Sequence, residues 1–120
     1  TRIYVKPLLA LLKNVDVHAM AHITGGGITE NLPRVLPSDL SARIDLAAWE
    51  FPEIFAWLQQ QGHVSLEDML ITFNCGIGMI VCVDANDEQE TLRRLAQQGE
   101  TVFSIGEIVS SVDQRRVIYV

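Results

Sequence analysis

Ala21-His22-Ile23-Thr24-Gly25-Gly26-Gly27-Ile28-Thr29-Glu30-Asn31-Leu32-Pro33 is the stretch around which the chain is organised. It reads as the end of a buried strand, three consecutive glycines, and the start of a helix. Three glycines in a row lose much chain entropy on folding. They suit a place where the backbone turns sharply or where something approaches it closely. A strand-to-helix turn also offers N–H groups without intrahelical partners, which suits a phosphate. A tight turn with no ligand explains the glycines equally well, and no Lys-Ser or Lys-Thr follows as in a Walker loop.

A second stretch, Phe73-Asn74-Cys75-Gly76-Ile77-Gly78-Met79-Ile80-Val81, is another glycine-punctuated loop, here running into a strand. Working outward, Val17 to Ile23 alternates, with Val17, Ala19, Ala21 and Ile23 on one face and His18, Met20 and His22 on the other; the mostly apolar run fits an interior strand. His18 and His22 stand about 13 Å apart at strand rise, too far to share a metal. His22, beside the glycines, is a candidate ligand contact, and a hydrogen-bonded structural histidine accounts for it as well.

Residues 4–13 predict a helix, with Val5, Leu8, Leu9 and Leu12 at helical spacing and Pro7 near the first turn. Residues 29–36 predict a short helix distorted at Pro33. A strand follows over 40–46, then a helix over 51–61 with an apolar stripe of Phe51, Ile54, Phe55 and Leu58. Trp49 and Trp57 fit core or interface packing better than base stacking. Ser65 opens another short helix with a capping-box pattern. A buried strand is expected over 78–83, and a helix capped near Asn86 that stops at Gly99. Strands are expected over 101–109 and 116–120, joined by a polar turn near Asp113. Alternating strands and helices predict an α+β, α/β-layered domain in which helices cover a mixed β-sheet.

The 120 residues suffice for one domain, 1–120, and 48% of them are hydrophobic, so a real core is expected. No apolar run is long enough for a membrane span. The net charge of −6 argues against a nucleic-acid surface. Residues 1–38 carry four basic and two acidic side chains, and the remainder five basic and thirteen acidic. The glycines thus lie in the net-basic part, a hint toward an anionic ligand. Cys75 and Cys82 show neither disulfide nor zinc spacing, which fits a cytoplasmic location. The chain does not begin with Met and is expected to be a fragment or a processed product.

His22-Ile-Thr-Gly-Gly-Gly, Glu30-Asn-Leu-Pro-Arg-Val-Leu-Pro37 and Thr72-Phe-Asn-Cys-Gly-Ile-Gly-Met79, with the opening Thr1-Arg-Ile-Tyr-Val-Lys6, resemble the C-terminal domain of the aminoimidazole ribonucleotide synthetases, also called phosphoribosylformylglycinamidine cyclo-ligases. The resemblance runs along essentially the whole chain. It implies a C-terminal domain whose N-terminal, ATP-binding half is absent here. It implies ATP-dependent ring closure: ATP activates the formyl oxygen of formylglycinamidine ribonucleotide, an internal nitrogen attacks, and phosphate leaves. Such chemistry needs positioning and charge stabilisation more than a protein nucleophile. ATP and Mg2+ are then expected mainly on the N-terminal domain, with no metal ligand here. The expected partners are the ribonucleotide, that N-terminal domain and a second copy in a homodimer; the fragment alone is expected to be inactive.

In that setting Gly25, Gly26 and Gly27 present backbone N–H groups to the substrate, and Thr24 and Thr29 add hydroxyls. Asn31 offers a donor and an acceptor. Asn74, Gly76 and Gly78 line the facing wall. No catalytic group is identified. Cys75 lacks a neighbouring base and fits a packed small residue better than a nucleophile. Glu30 is better explained by charge placement at a helix start than as a general base. Two other classes stay open: a non-catalytic binding or regulatory domain of the same fold, and a related ATP-dependent enzyme such as a formylglycinamidine synthetase, a selenophosphate synthetase or a thiamine-phosphate kinase. The coding sequence upstream of Thr1 separates them.

Overall fold

The first helix, α1 (Val5–Leu12), leads through a short turn into strand β1 (Val17–His22). In the computed structural model, residues 3–111 and 115–120 are described. Thr1, Arg2 and the turn expected near Asp113 lie outside the described residues. After β1 come α2 (Gly27–Asn31), β2 (Leu40–Ile44), α3 (Glu53–Gln61), α4 (Leu66–Thr72), β3 (Met79–Val83), α5 (Glu88–Gln97), β4 (Gly106–Ser110) and β5 (Val117–Tyr119). The architecture is α+β.

The strands divide between two sheets. β1 pairs antiparallel with β3, with His22 opposite Met79 and Ala21 opposite Ile80. β2 is the middle strand of the second sheet, antiparallel to β4 and parallel to β5. Only this second sheet is mixed. The strand expected from Thr101 begins at Gly106, one residue after the Ile105 carbonyl accepts the Asp45 N–H at 2.7 Å, and residues 101–105 line a groove of about 1060 Å³ together with β3 and part of β2. β1 is not an interior strand: Ala21 is buried, but His18, Met20 and His22 form an exposed face.

Local chemistry sets the boundaries. α2 starts earlier than expected, at Gly27, and gives way to a 3-10 turn over Pro33–Val35, because Pro33 has no N–H to continue the helix. β2 ends where the Asp45 carboxylate accepts the Ala47 N–H and starts a 3-10 turn. Ser65 caps α4 by accepting the Asp68 N–H. Near α5 the capping side chain is Asp84, which accepts the Asn86 N–H and opens a 3-10 turn ahead of the helix.

The main core joins Ala21 and Ile23 of the first sheet region, Ile28 and Leu32 near α2, Ala42 and Ile44 of β2, and Trp49, Ile77 and Ile80. Burial of the isoleucine and leucine side chains among them contributes about 1.5–3 kcal/mol each. A second cluster holds Leu11 of α1 and Leu95 of α5. The stripe read on α1 is not its buried face: Val5, Leu9 and Leu12 are exposed, and Pro7 and Leu11 are buried. On α3, Phe55 and Leu58 are half buried while Ile54 and Trp57 are exposed. Trp49 is in the core, where its Nε1–H donates to the Cys75 carbonyl at 3.0 Å and its ring stacks on Phe51.

Candidate functional site

The two glycine-punctuated loops meet. Between them lies a cleft of about 440 Å³ lined by Tyr4, His22, Ile23, Thr24, Gly25, Phe55, Thr72, Phe73, Asn74 and Gly78. Two fastenings hold its walls in place. At the end of the β1–β3 pair, the Ile23 N–H donates to the Gly78 carbonyl at 2.9 Å. Behind the cleft, α2 packs on α4. Thr29 Oγ1 donates to the Leu70 carbonyl at 3.2 Å and lies 2.7 Å from the Tyr119 hydroxyl. Gly27 sits so close that a Cβ there would overlap the Leu70 carbonyl and stand 2.6 Å from that of Phe73.

Five of the residues read from the sequence as site candidates come together on the lining: His22, Thr24, Gly25, Asn74 and Gly78. The other five, Gly26, Gly27, Thr29, Asn31 and Gly76, stand behind or beside it. Thr29 ties helix to helix. Gly26, at φ 98°, is with Gly27, at φ 62°, in the left-handed region of the turn, and the Glu30 side chain folds over it. Gly76, at φ 99°, packs against the Pro52 ring and faces the larger groove.

Asn31 is buried, and its amide points into the turn. Its Nδ2 donates to the carbonyls of Thr24, Gly25 and Gly27 at 3.3, 3.1 and 2.9 Å, and its Oδ1 accepts from Arg34 at 3.3 Å. A trans peptide places N–H opposite C=O. With the Thr24 and Gly25 carbonyls drawn toward Asn31, the N–H groups of Gly25 and Gly26 point away from it. Among the described residues neither N–H has a partner. The Gly27 N–H is taken up by the Thr24 carbonyl at 3.0 Å.

On the facing wall, Asn74 Oδ1 accepts the Gly76 N–H at 2.9 Å, which leaves its amide nitrogen as a donor at the cleft. Cys75 lies behind, fully buried at φ 53°, with its Sγ toward the Met69 and Phe73 carbonyls. Burial pushes its thiol up to about 11, so at neutral pH it is protonated and a poor nucleophile.

Among the described residues the lining carries no Asp, Glu, Lys or Arg. Its chemistry is that of hydrogen-bonding groups, namely the hydroxyls of Tyr4, Thr24 and Thr72, the Asn74 amide and the His22 ring, set among Phe55 and Phe73. Of the described basic residues of segment 1–38, Lys6, Lys13 and Arg34 are not on this lining. α2 is little more than one turn long and contributes only a weak dipole. Sequence reasoning passed over Tyr4, Thr72 and Phe73 although all three sit inside the motifs quoted above, and it placed Phe55 in a core stripe.

A family model described as AIR synthase related protein, C-terminal domain, matches residues 1–118. The chain belongs to this family. It is similar to the phosphoribosylformylglycinamidine cyclo-ligase of Nitrosococcus oceani, at 54% identity over 120 residues covering 99% of this chain and 34% of the relative. It is also similar to the protein of the same name from Chromobacterium violaceum, at 55% identity over 108 residues covering 90% of this chain and 31% of the relative. The chain thus spans about a third of the length of these curated relatives. The family places the cleft in an enzyme-related domain, and its two walls come from the motifs that carry the resemblance.

Proposed function

We propose that this chain acts as the C-terminal part of a phosphoribosylformylglycinamidine cyclo-ligase in purine biosynthesis, and that the cleft forms one wall of its substrate site. The observation that carries the reading is the meeting of Thr24–Gly25 with Asn74–Gly78 at a single cleft, in a chain of this family. Residues about fifty positions apart have no local reason to converge there.

Within this reading the domain binds and orients formylglycinamidine ribonucleotide. The Gly25 N–H and the Thr24, Thr72 and Asn74 donors hold its oxygens. Phe55 and Phe73 present apolar surface that displaces water from the cleft. Holding the reacting nitrogen and carbon in one geometry is the larger part of what a ring closure needs.

Among the described residues no three His, Cys, Asp or Glu side chains gather to hold a metal, and no carboxylate lines the cleft. These residues do not fit a magnesium ion. The proposal therefore assigns ATP and Mg2+ to a part of the full-length protein outside this chain, and no step here depends on them. A cytoplasmic location and a homodimer belong to the same proposal. Among the described residues no helix is long and apolar enough to cross a membrane.

The test is an assay of the full-length protein for ATP-dependent conversion of formylglycinamidine ribonucleotide to aminoimidazole ribonucleotide, ADP and phosphate. Absence of product with this substrate, alongside turnover of another ribonucleotide or none, would reject the reading.

A further inference from the structure

We propose that Tyr4 is a substrate-contacting residue of the cleft, its hydroxyl donating to an oxygen of the bound ribonucleotide, and that Gly78 is glycine so that the hydroxyl can stand there. The inference rests on the cyclo-ligase reading above.

Tyr4 immediately precedes α1 and lines the cleft beside His22, whose ring it meets edge-on with centroids 6.2 Å apart. Its hydroxyl lies directly over Gly78. A Cβ on Gly78 would overlap that oxygen and stand 3.1 Å from the ring carbon bearing it. Gly78 is not among the residues at positive φ, so backbone conformation does not call for glycine at this position. The close approach of Tyr4 does. Gly78 cannot retreat easily either, because its carbonyl holds the Ile23 N–H next to His22.

The Tyr4 hydroxyl has no protein partner among the described residues. No side-chain polar atom among the described residues is buried without a partner, so this hydroxyl is open to the cleft, where a ligand oxygen can take the place of water. Among the described residues the lining carries no Asp, Glu, Lys or Arg, and a hydroxyl donor there is the kind of group that discriminates between ligands by hydrogen bonding.

The test uses the full-length protein, with calorimetric binding of formylglycinamidine ribonucleotide and steady-state kinetics. Tyr4→Phe keeps the ring and removes the oxygen. It is expected to weaken binding and raise KM about three- to tenfold, the usual worth of one neutral hydrogen bond, with kcat within about twofold. A packing role predicts wild-type values, because the ring remains. Gly78→Ala pushes the hydroxyl out of place and is expected to lower kcat/KM more than about tenfold. Combining the two removes the overlap with the oxygen and leaves only the 3.1 Å approach to the ring carbon, so the double variant is expected to lose clearly less than the product of the two single losses. Independent, multiplying losses would overturn the pairing. Should Gly78→Ala fail to fold, Tyr4→Phe decides. If wild type binds the ribonucleotide and Tyr4→Phe binds it as tightly, this inference falls and the functional reading stands. If wild type neither binds nor converts it, the functional reading falls and takes this inference with it.

Discussion

The glycine turn at residues 24–27 and the loop at residues 72–78 both set an asparagine among close-spaced glycines, yet they use the two differently. On the first wall the asparagine faces inward. Asn31 gathers three carbonyls and leaves the backbone to meet the cleft. On the second wall the asparagine faces outward. Asn74 uses only its Oδ1 to hold the loop and keeps its amide nitrogen at the lining. The glycines differ as well. Gly26, Gly27, Gly76 and Gly78 each have an internal reason, a positive φ or a neighbour where a Cβ would go. Gly25 has neither: it is outside the left-handed region and nothing lies within 4 Å of its would-be Cβ. A glycine run is therefore not one signal. Most of it is packing, and Gly25 is the one position of the two loops for which neither a positive φ nor a close neighbour calls for glycine.

Gly27 gives the largest expected effect. Gly27→Ala drives a methyl into two backbone carbonyls at a residue with φ 62°, and backbone cannot swing aside as a side chain can. A loss of about 2–5 kcal/mol is expected, from overpacking plus left-handed strain. Urea unfolding of the full-length protein measures it; a loss under about 1 kcal/mol would mean that α2 and α4 are not locked together. Asn31→Ala comes next. It leaves buried carbonyls without their donor, at an expected cost of about 1–3 kcal/mol. Wild-type stability with unchanged substrate affinity would show that the turn holds its shape without the amide, and the contrast between the walls would vanish.

The element order was legible because turn and cap chemistry is local. Pro33, Pro52, Gly62 and Ser65 mark boundaries that hold to within a few residues. Which face of a helix is buried was not legible on α1. Val5, Leu8, Leu9, Leu11 and Leu12 leave almost no polar side, so periodicity cannot choose, and packing against α5 chooses Leu11. The division into two sheets, β1 with β3 and β2 between β4 and β5, is set by long-range pairing that alternation along one strand does not encode. At the cleft, motif residues were found, but motif membership does not tell lining from support. Thr29 and Asn31 have side chains that suit a ligand and are engaged internally. Tyr4 looked like the start of a helix. Only the fold brings it over Gly78, seventy-four positions away.

The second wall has its own test through Cys75. Burial raises its thiol from 9.0 to about 11. A raised pKa means that the folded state holds the proton more tightly than the unfolded chain. The stability from the neutral thiol is complete below about pH 9 and declines as pH rises toward about 11, by about 1–3 kcal/mol. Cys82 and Tyr119 are also raised by burial and act with the same sign. Urea midpoints between pH 8 and pH 11 check this, and Cys75→Ala should flatten part of the slope. A slope of the same size in that variant would show that Cys75 is not the group responsible.

Gly25 gives the smallest effect on stability and the sharpest test of the comparison. A Cβ there meets open space, and the backbone is outside the left-handed region. Gly25→Ala should therefore leave folding unharmed and can raise stability by about 0.4–1 kcal/mol, because alanine restricts the unfolded chain. Its new methyl would project beside the N–H that the turn presents to the cleft. If a ligand oxygen sits on that N–H, affinity for formylglycinamidine ribonucleotide falls while the melting temperature holds or rises. No internal contact of the protein accounts for that pairing of outcomes. Gly26→Val cannot give the same answer, since φ 98° and the Glu30 side chain already forbid a side chain there. Gly25→Ala with full stability and unchanged affinity would remove the last reason to separate Gly25 from its neighbours. The glycine turn would then be a structural wall throughout, and ligand recognition would rest with the side chains of Tyr4, Thr24, Thr72 and Asn74.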